Sequence, residues 1–295
     1  MKKPMKKLDD LAVSGISYLV MTLFAVICLF PFLYVISYSV MPYEDYLKNP
    51  MSLIPMRVTL DAYSRILAFP MVWSGYRMTA FVTVIGTTLN VFLLLLTAYP
   101  LSKKDLKGRN FVLLMIAFTM FFNGGLIPNY YLIRSLRMQD TPWALIFPGA
   151  VSAFNLILMK NFVAAIPKDI EESASIDGAH EFTILARIIA PLSLPAIATF
   201  TLFHAVGHWN SYFNAIVYIS RRSLWPLMLV LRELVVEEGI GAVFNTSTQY
   251  MQDTMATPFN LKMAMIVVSI LPILAVYPLV QKYFMKGLLV GSVKA

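Results

Sequence analysis

Three carboxylates and a glycine form the first candidate site, in the polar segment from Ile166 to Pro191. Asp169, Glu171 and Glu172 are close enough in the sequence to share the first turns of a helix, where negative charge is favourable. Gly178 can adopt the left-handed conformation that ends such a helix and turns the chain. Because the segment lies between two long apolar stretches, we interpret it as a docking element for something outside the membrane.

The spacing of the same segment predicts a helix, a glycine turn and a second helix. Pro167 suits the first position of the first helix, where its missing N–H leaves no helical bond unmade. Gly178 supplies the turn, and Pro191 begins the return to apolar sequence. The carboxylates should therefore be presented on a short, defined helix.

Catalysis and metal binding find little support elsewhere in the chain. His204 and His208 are four residues apart and share one helical face, but no third metal ligand stands out. We favour two imidazoles that are hydrogen-bonded inside a helix bundle. Ser173 and Ser175 have no plausible base partner, so no catalytic residue is assigned. The chain lacks a G-x-x-x-x-G-K-[ST] phosphate loop, and we expect it to bind neither ATP nor another cofactor by itself.

Apolar residues dominate the rest of the sequence. The chain is 58% hydrophobic and 14% charged, whereas about 25% of the residues in a typical soluble domain are charged. Six apolar runs are long enough to span a bilayer, which takes about 20 helical residues. We therefore predict an all-α membrane protein with a single domain, 1–295, and the docking element over 166–191. The six spans are expected near 16–39, 78–101, 111–131, 143–165, 190–218 and 262–284.

Basic residues predict the orientation of the spans. They cluster before the first span, after the second and after the sixth, which lie on one side of a six-span chain, and positive charge in short loops marks the cytoplasm. Both termini and the 166–191 segment are therefore predicted to be cytoplasmic. Basic residues beside spans are expected to contact lipid, and we expect no nucleic-acid partner. They are Lys2, Lys3, Lys6, Lys7, Lys103, Lys104, Lys107, Arg109, Lys282, Lys286 and Lys294.

The spacing of Glu172, Gly178 and Pro191 resembles a known motif, the ABC importer permease signature E-A-A-x3-G-x9-I-x-L-P. The sequence reads Glu172-Ser173-Ala174, then Gly178, then Ile188, then Ala190-Pro191. Ser173 stands where the family has alanine, and Ala190 stands where it has leucine. The motif also precedes the penultimate span on the cytoplasmic side, as the family requires.

Other stretches resemble the sugar-importer branch of that family, in particular the maltose-permease-like second subunits. These stretches are Leu29–Val40, Thr97–Arg109, His208–Ser220 and Gln281–Ala295. The stretch Gly124–Leu136, GGLIPNYYLIRSL, is similar to a subgroup that handles complex oligosaccharides, including uronic-acid-containing ones.

The resemblance implies the type I ABC importer permease fold, a bacterial cytoplasmic (inner) membrane location and a set of partners. The partners are a second homologous permease subunit in a heterodimer, two ATPase subunits that bind ATP and Mg, and an extracytoplasmic substrate-binding protein. Pro167–Ile176 would be a coupling helix that docks in the ATPase, and a second helix, Glu181–Ile189, would tether it to the spans. The residues implied in ATPase coupling are Lys168, Asp169, Glu171, Glu172, Ala174, Asp177 and Gly178.

Polar and aromatic residues within the spans suggest a translocation path. Polar side chains at membrane depth usually face the bundle interior or a water-filled cavity, and sugars stack on aromatic faces. The alternative for each residue taken singly is helix–helix hydrogen bonding or interfacial anchoring. The candidates are Asn123, Asn155, His208, Trp209, Asn210, Tyr212, Asn214 and Tyr218.

Arginines in the predicted outer loops, about 40–77, 132–142 and 219–261, favour an anionic ligand because the guanidinium group matches a carboxylate. A uronate-containing oligosaccharide such as an alginate or pectin fragment fits this pattern. Alternatively, the arginines pair with nearby acids or contact the binding protein, and the substrate is a neutral oligosaccharide. An ion-coupled secondary transporter is a further alternative, although the spans contain no well-placed Asp or Glu.

Overall fold

The computed structural model describes residues 5–50, 52–236 and 258–292, and every regular element in these ranges is helical. The prediction of an all-α membrane protein is thereby confirmed. The helices are α1 (Met5–Val40), α2 (Tyr43–Lys48), α3 (Asp61–Ala68), α4 (Pro70–Ser102), α5 (Arg109–Phe121), α6 (Leu126–Ser135), α7 (Trp143–Ile146), α8 (Ala153–Ala164), α9 (Lys168–Ile176), α10 (Glu181–Ile184), α11 (Ala190–Leu192), α12 (Leu194–Trp209), α13 (Phe213–Tyr218), α14 (Leu227–Val236) and α15 (Pro258–Ser292). Shorter elements are the 3-10 turns Phe147–Gly149 and Arg222–Leu224 and the π-helical segment Leu185–Ile189.

Among the residues that the structure describes, three helices are long and apolar enough to cross a membrane: Val13–Val40 in α1, all of α4, and Phe259–Val276 in α15. Three bent helix pairs raise the number to six if each pair is one span. The spans predicted near 111–131, 143–165 and 190–218 are therefore interrupted rather than continuous. The bends are 115° between α5 and α6, 56° between α7 and α8, and 81° between the helices 181–192 and 194–209.

Glycine and proline explain two of these bends. Between α5 and α6, Gly125 adopts a φ of +86°, and the Asn123 Oδ1 accepts a hydrogen bond from the Gly125 N–H at 3.0 Å. This local bond replaces the next helical one. Near α12, Pro191 and Pro195 each lack a backbone N–H, so the helix breaks at Ser193.

Two compact units divide the chain. The first consists of residues 1–69 and 234–270, and its aromatic cluster includes Tyr38, Tyr46 and Phe259, with the Tyr46 and Phe259 rings 4.8 Å apart. The side-chain amide of Asn260 donates to the carbonyl oxygens of Tyr38 and Met41. The predicted outer loop 40–77 thus contains ordered structure, including α2 and α3.

The second unit consists of residues 70–233 and 271–295. Its core lies where α4 packs against α8 and α12. The apolar side chains of this core are spaced at three and four residues on each helix, which places them on one face. They include Leu94, Ala98, Leu101, Leu156, Met159, Val163, Ala196 and Phe200.

Some predicted features lie outside the described residues. They are the terminal lysines Lys2, Lys3 and Lys294, and residues 237–257 of the predicted outer loop 219–261.

Candidate functional site

The 166–191 segment forms the predicted helix, turn and helix. The first helix, α9, starts at Lys168, and Pro167 is its N-cap rather than its first helical residue. Gly178 has a φ of +81°. The Gly178 N–H donates to the Ser175 carbonyl at 3.1 Å and the Ala179 N–H donates to the Ala174 carbonyl at 3.0 Å. These two bonds form a Schellman motif, so the glycine ends α9 as the sequence predicted.

The second helix of the segment departs from the prediction of a regular helix over Glu181–Ile189. It consists of the short α10, followed by the π-helical segment Leu185–Ile189. The Ala190 N–H donates to the Leu185 carbonyl, five residues earlier. Pro191 follows directly and has no N–H to continue a normal helical ladder, which accounts for the wider turn.

Four side chains meet between this segment and the end of α4. The Lys103 Nζ lies 2.5 Å from the Glu171 carboxylate and 2.5 Å from the Glu181 carboxylate. The Tyr99 hydroxyl lies 2.7 Å from both carboxylates, and the Lys103 Nζ is 4.6 Å from the centre of the Tyr99 ring. We call these four residues the Lys103 network.

The Lys103 network is partly shielded from water. The Glu171 side chain is 24% exposed and that of Lys103 is 30% exposed, whereas the Glu181 side chain is 65% exposed. Burial alone would lower the pKa of Lys103, but the bonds to Glu171 and Glu181 outweigh it and hold the pKa above its ordinary value. Lys103 therefore stays charged throughout the physiological range.

The structure divides the predicted coupling residues between two faces. Glu171 turns inward to the Lys103 network, and Ala174 packs against the core of the second unit. The remaining ones are exposed: Lys168, Asp169, Glu172, Asp177 and Gly178. Two apolar side chains of the segment are exposed as well: Ile176 is 86% exposed and Phe182 is 74% exposed. A face that combines free charges with exposed apolar groups suits a protein partner.

A cleft of about 680 Å³ lies beside α9. Its walls come from the loop after α4, from the end of α8 and from α9 itself, and they carry both acidic and basic groups. Charged wall residues are Lys103, Asp105, Lys168, Glu171 and Glu172. The balance of charge suits a mixed protein surface better than a single small anion.

A second polar cluster lies within the bundle and brings together α4, α8 and α12. The Asn90 side-chain amide is 3.0 Å from the His204 Nδ1 and 3.0 Å from the His208 Nε2. The Asn155 side-chain amide is 3.3 Å from the His204 Nε2. We call these four residues the Asn90 network. The expectation that the two histidines are hydrogen-bonded inside a bundle is consistent with this geometry.

The hydrogen-bond roles in the Asn90 network follow from counting protons. The Asn90 amide oxygen is buried without a hydrogen-bond partner as placed, and amide oxygen and nitrogen atoms can be exchanged. After exchange, this oxygen accepts an N–H bond from the His204 Nδ1 and another from the His208 Nε2. The His204 Nε2 is then free to accept from Asn155, so both ring nitrogens of a neutral His204 are paired.

Gly86 permits this arrangement. A Cβ atom added to Gly86 would lie 2.6 Å from the His208 Nε2 and 2.9 Å from its Cε1. No side chain larger than hydrogen fits between α4 and the imidazole, so the glycine sets the close approach of α4 and α12.

Other predicted path residues occupy separate positions. The Trp209 ring is 6.3 Å from the Tyr76 ring, and Tyr218 is buried in a small cluster with Ile133 and Ala144. Asn123, Asn210 and Tyr212 are exposed, and Asn214 is half-buried. Of the predicted set, the structure therefore joins Asn155 and His208 in one network.

The carboxylate of Asp140 joins two of the predicted outer loops, 132–142 and 219–261. The Asp140 carboxylate accepts hydrogen bonds from the backbone N–H groups of Ser220 and Arg221, at 2.6 and 3.0 Å. The bond from the Arg221 N–H, together with that from Ser220, lowers the pKa of Asp140 below its ordinary value. The Arg221 guanidinium donates to the Asp140 carbonyl at 2.5 Å, so this arginine is already engaged within the chain.

Sequence reasoning missed Tyr99, Lys103 and Glu181 as members of a site. Tyr99 and Lys103 are four residues apart at the end of a predicted span, a spacing that places them on one helical face. That spacing was the available signal. Their pairing with carboxylates far away in the sequence, 72 and 82 residues from Tyr99, carries no local signal. Among the described residues, no group of three or more His, Cys, Asp or Glu side chains could hold a metal ion.

Known proteins resemble this chain over nearly its whole length. It is 44% identical to protein LplC of Bacillus subtilis (strain 168) over 268 residues, which cover 91% of this chain and 90% of that protein. It is 42% identical to the polygalacturonan/rhamnogalacturonan transport system permease protein YtcP of the same organism, covering 98% of this chain and 99% of that protein. No protein-family model matches the chain.

A solved structure shows the same fold. A crystal structure of a bacterial ABC transporter involved in the import of the acidic polysaccharide alginate contains a chain that is 33% identical to this one. The two chains superpose with a TM-score of 0.87, and the match covers 94% of this chain and 98% of the other.

Proposed function

Because the chain belongs to the permease subunits of ABC sugar importers, we propose that it forms part of the path by which an ATP-driven importer takes up acidic oligosaccharides. The substrate class would be uronate-containing oligosaccharides, such as fragments of alginate or pectin. The chain itself transports and does not hydrolyse ATP in this proposal. It acts as one six-span domain, 1–295, in the bacterial inner membrane, with both termini in the cytoplasm.

One observation carries the proposal for the substrate. Two similar proteins with stated substrates, at 42% and 33% identity, transport uronate polymers or their fragments: polygalacturonan or rhamnogalacturonan in one case and alginate in the other. Both matches cover at least 94% of this chain. A shared chemical feature of these polymers is the sugar carboxylate, which a transport path must accommodate.

The outer arginines give this substrate weaker support than their number suggested. Arg57 binds the carboxylates of Glu44 and Asp45, at 3.0 and 2.8 Å, and Arg221 binds the Asp140 carbonyl. For these two arginines the alternative of pairing within the chain applies. The proposal for an acidic substrate therefore depends on the relatives more than on the arginines.

The 166–191 segment, from here on the coupling segment, would dock on an ATPase subunit. Its exposed charges and the exposed side chains of Ile176 and Phe182 support this role. Glu172 would face a basic residue of the ATPase, whereas Glu171 would stay in the Lys103 network. ATP and Mg would bind in the two ATPase subunits, and their closure would pull on the coupling segment.

The remaining partners would be a second permease subunit and an extracytoplasmic substrate-binding protein. In α1, residues 13–33 are exposed on this chain, which leaves an apolar surface for lipid or for the second permease. The proposed path residues are Asn123, Asn155, His208, Trp209, Asn210, Tyr212, Asn214 and Tyr218. Those that are exposed, including Asn123, Asn210 and Tyr212, can reach a sugar without rearrangement.

Purification followed by transport would test the proposal. The chain is affinity-purified from its native membrane in mild detergent, and we expect a second six-span permease and a P-loop ATPase to accompany it. The complex and its binding protein are then reconstituted in proteoliposomes with labelled trigalacturonate, a guluronate trimer and neutral maltotriose. We expect ATP-dependent uptake of the uronate trimers and little uptake of maltotriose.

Each alternative has its own outcome in this experiment. Preferred uptake of maltotriose would replace the acidic substrate with a neutral one and leave the importer mechanism in place. Uptake driven by an ion gradient without ATP, by a chain that purifies alone, would establish the secondary transporter instead.

A further inference from the structure

Lys103 contacts both helices of the coupling segment from outside it. It directly follows α4, and its ammonium group lies 2.5 Å from Glu171 of α9 and 2.5 Å from Glu181 of α10. The two helices lie on opposite sides of the Gly178 turn. A single side chain, one residue beyond the end of the long α4 helix, therefore links both arms of the coupling segment.

The two carboxylates would separate without this cation. Both lie 2.7 Å from the oxygen of Tyr99, so they are close to each other and repel. A phenol has one hydrogen and donates to one carboxylate at a time, whereas an ammonium group has three donors. Lys103 is the group in this network that both offsets part of the negative charge of the pair and bonds to each member.

Helix α4 can transmit whatever force the Lys103 network receives. It is 33 residues long and packs against α8 and α12 through the core of the second unit. Tyr99 is buried next to that core, so the network is anchored at its α4 end. A displacement of α9 would reach the spans by this route, in addition to the route along the chain through the π-helical segment.

We propose that Lys103 is a positioning residue that makes the coupling segment and α4 move as one body during the transport cycle. The proposal rests on the coupling role proposed above. Without Lys103, the ATPase subunits would still dock and hydrolyse ATP, but α9 would move without carrying α4. ATP would then be consumed with little transport.

A distance measurement tests the rigid connection directly. Spin labels are placed at Ser173 on α9 and at Val84 on α4, which are both exposed, in a chain with Cys28→Ala. The label-to-label distance is measured by pulsed electron paramagnetic resonance, first in the permease alone and then in the full complex. The complex is measured without nucleotide and with ATP and vanadate.

In the otherwise unchanged chain we expect one narrow distance that is the same in all three samples. In Lys103→Met we expect the distribution to broaden about twofold in the permease alone, because the local contact that orders α9 is lost. In the complex, transport per ATP hydrolysed should fall on the order of tenfold, a typical size for a coupling between sites. Lys104→Met removes the same charge from the exposed neighbouring residue and should change neither quantity.

A charge exchange separates positioning from folding. Lys103→Glu should be defective, and Lys103→Glu combined with Glu181→Lys should recover both the narrow distance and transport, because one cation again meets two carboxylates. If Lys103→Met accumulates poorly, the comparison of the single and double exchange variants still tests whether Lys103 positions the coupling segment. Equal defects in the single and double exchange variants would overturn the proposal.

Two further results would overturn it. One is an unchanged narrow distance in Lys103→Met, and the other is a distance that shifts with nucleotide in the chain that keeps Lys103. Failure of the coupling role itself gives a different result, since no ATPase would then accompany the unmodified chain. The width of the distribution in the permease alone still decides whether Lys103 fixes the segment to α4.

Discussion

The Lys103 network and the Asn90 network both join α4 to its neighbours, and they use opposite chemistry. The first contains an ammonium group and two carboxylates, one of which is 65% exposed. The second lies inside the bundle and consists of two amides and two imidazoles. Charges are tolerated where water reaches them, whereas desolvation makes them costly in an apolar bundle. We therefore expect the first network to respond to partners and the second to stabilise the bundle.

The largest expected effect comes from a substitution in the coupling segment, which should leave the Asn90 network intact. Gly178→Val places a β-branched residue at a φ of +81°, which such residues strongly resist. We expect ATP-dependent uptake to be abolished and the ATPase to be lost on purification, with normal amounts of protein and normal affinity for the binding protein. Uptake in proteoliposomes and co-purification measure the two effects.

The matched control for this variant is Gly178→Asn, because asparagine tolerates the left-handed conformation. No atom lies within 4 Å of a Cβ added at Gly178, so the backbone angle and not the size of the side chain should decide the outcome. Equal loss of uptake in both variants would contradict the assignment of this turn.

The next largest effect tests the Asn90 network within the bundle. Asn90→Leu keeps the approximate shape of the side chain and leaves the facing nitrogens of the buried His204 and the half-buried His208 without a partner. We expect a loss of about 1–3 kcal/mol in the free energy of unfolding, seen as a lower thermal midpoint in detergent, while the ATPase still co-purifies. Thr88→Val, two residues away on an exposed position of α4, is the control. An unchanged midpoint with lost sugar uptake would show that the Asn90 network serves the translocation path, as proposed for its members Asn155 and His208, and not the stability of the bundle.

Gly86→Ala tests the same network with a smaller change, the addition of one methyl group. The added Cβ would lie 2.6 Å from the His208 Nε2, so the ring must move, and overpacking of this kind typically costs about 1–3 kcal/mol. Gly207→Ala is the counterpart, because nothing lies within 4 Å of its Cβ. We expect a lower thermal midpoint for the first variant and an equal or higher one for the second.

The smallest expected effect lies on the exposed face of the coupling segment. Glu172→Ala removes one exposed carboxylate, and an exposed ion pair with an ATPase residue is worth only about 0–1 kcal/mol. We expect a modest loss of uptake that is greater at low than at high salt. A complete loss would show that Glu172 does more than form a surface ion pair.

The sequence predicted the elements that depend on local chemistry. The apolar runs, the acids of α9 and the Gly178 turn each follow from neighbouring residues, and the family motif depends on the same spacing. The Schellman bonds at Gly178 confirm that turn. The position of Pro167 differed by one residue, which is within the usual uncertainty of helix ends.

The features that were not predicted depend on long-range packing. The break within a span at Gly125 was missed, because an apolar run conceals a short irregular stretch. The Lys103 network joins residues 99 and 103 to residues 171 and 181, and no local pattern reports such a pairing. The predicted path residues were chosen singly, and their roles in transport remain predictions.

The break between α5 and α6 has a consequence for how the subunit is made. Helix α5 has 13 residues and is about 20 Å long, whereas the hydrocarbon layer is about 30 Å thick. Residues 122–125 are exposed on this chain, and irregular backbone at membrane depth must be covered by protein or water. If the proposed partner subunits cover this stretch, a subunit synthesised without them would present it to lipid or to membrane proteases. Quality control in the membrane could therefore keep the number of copies of this subunit matched to that of its partners.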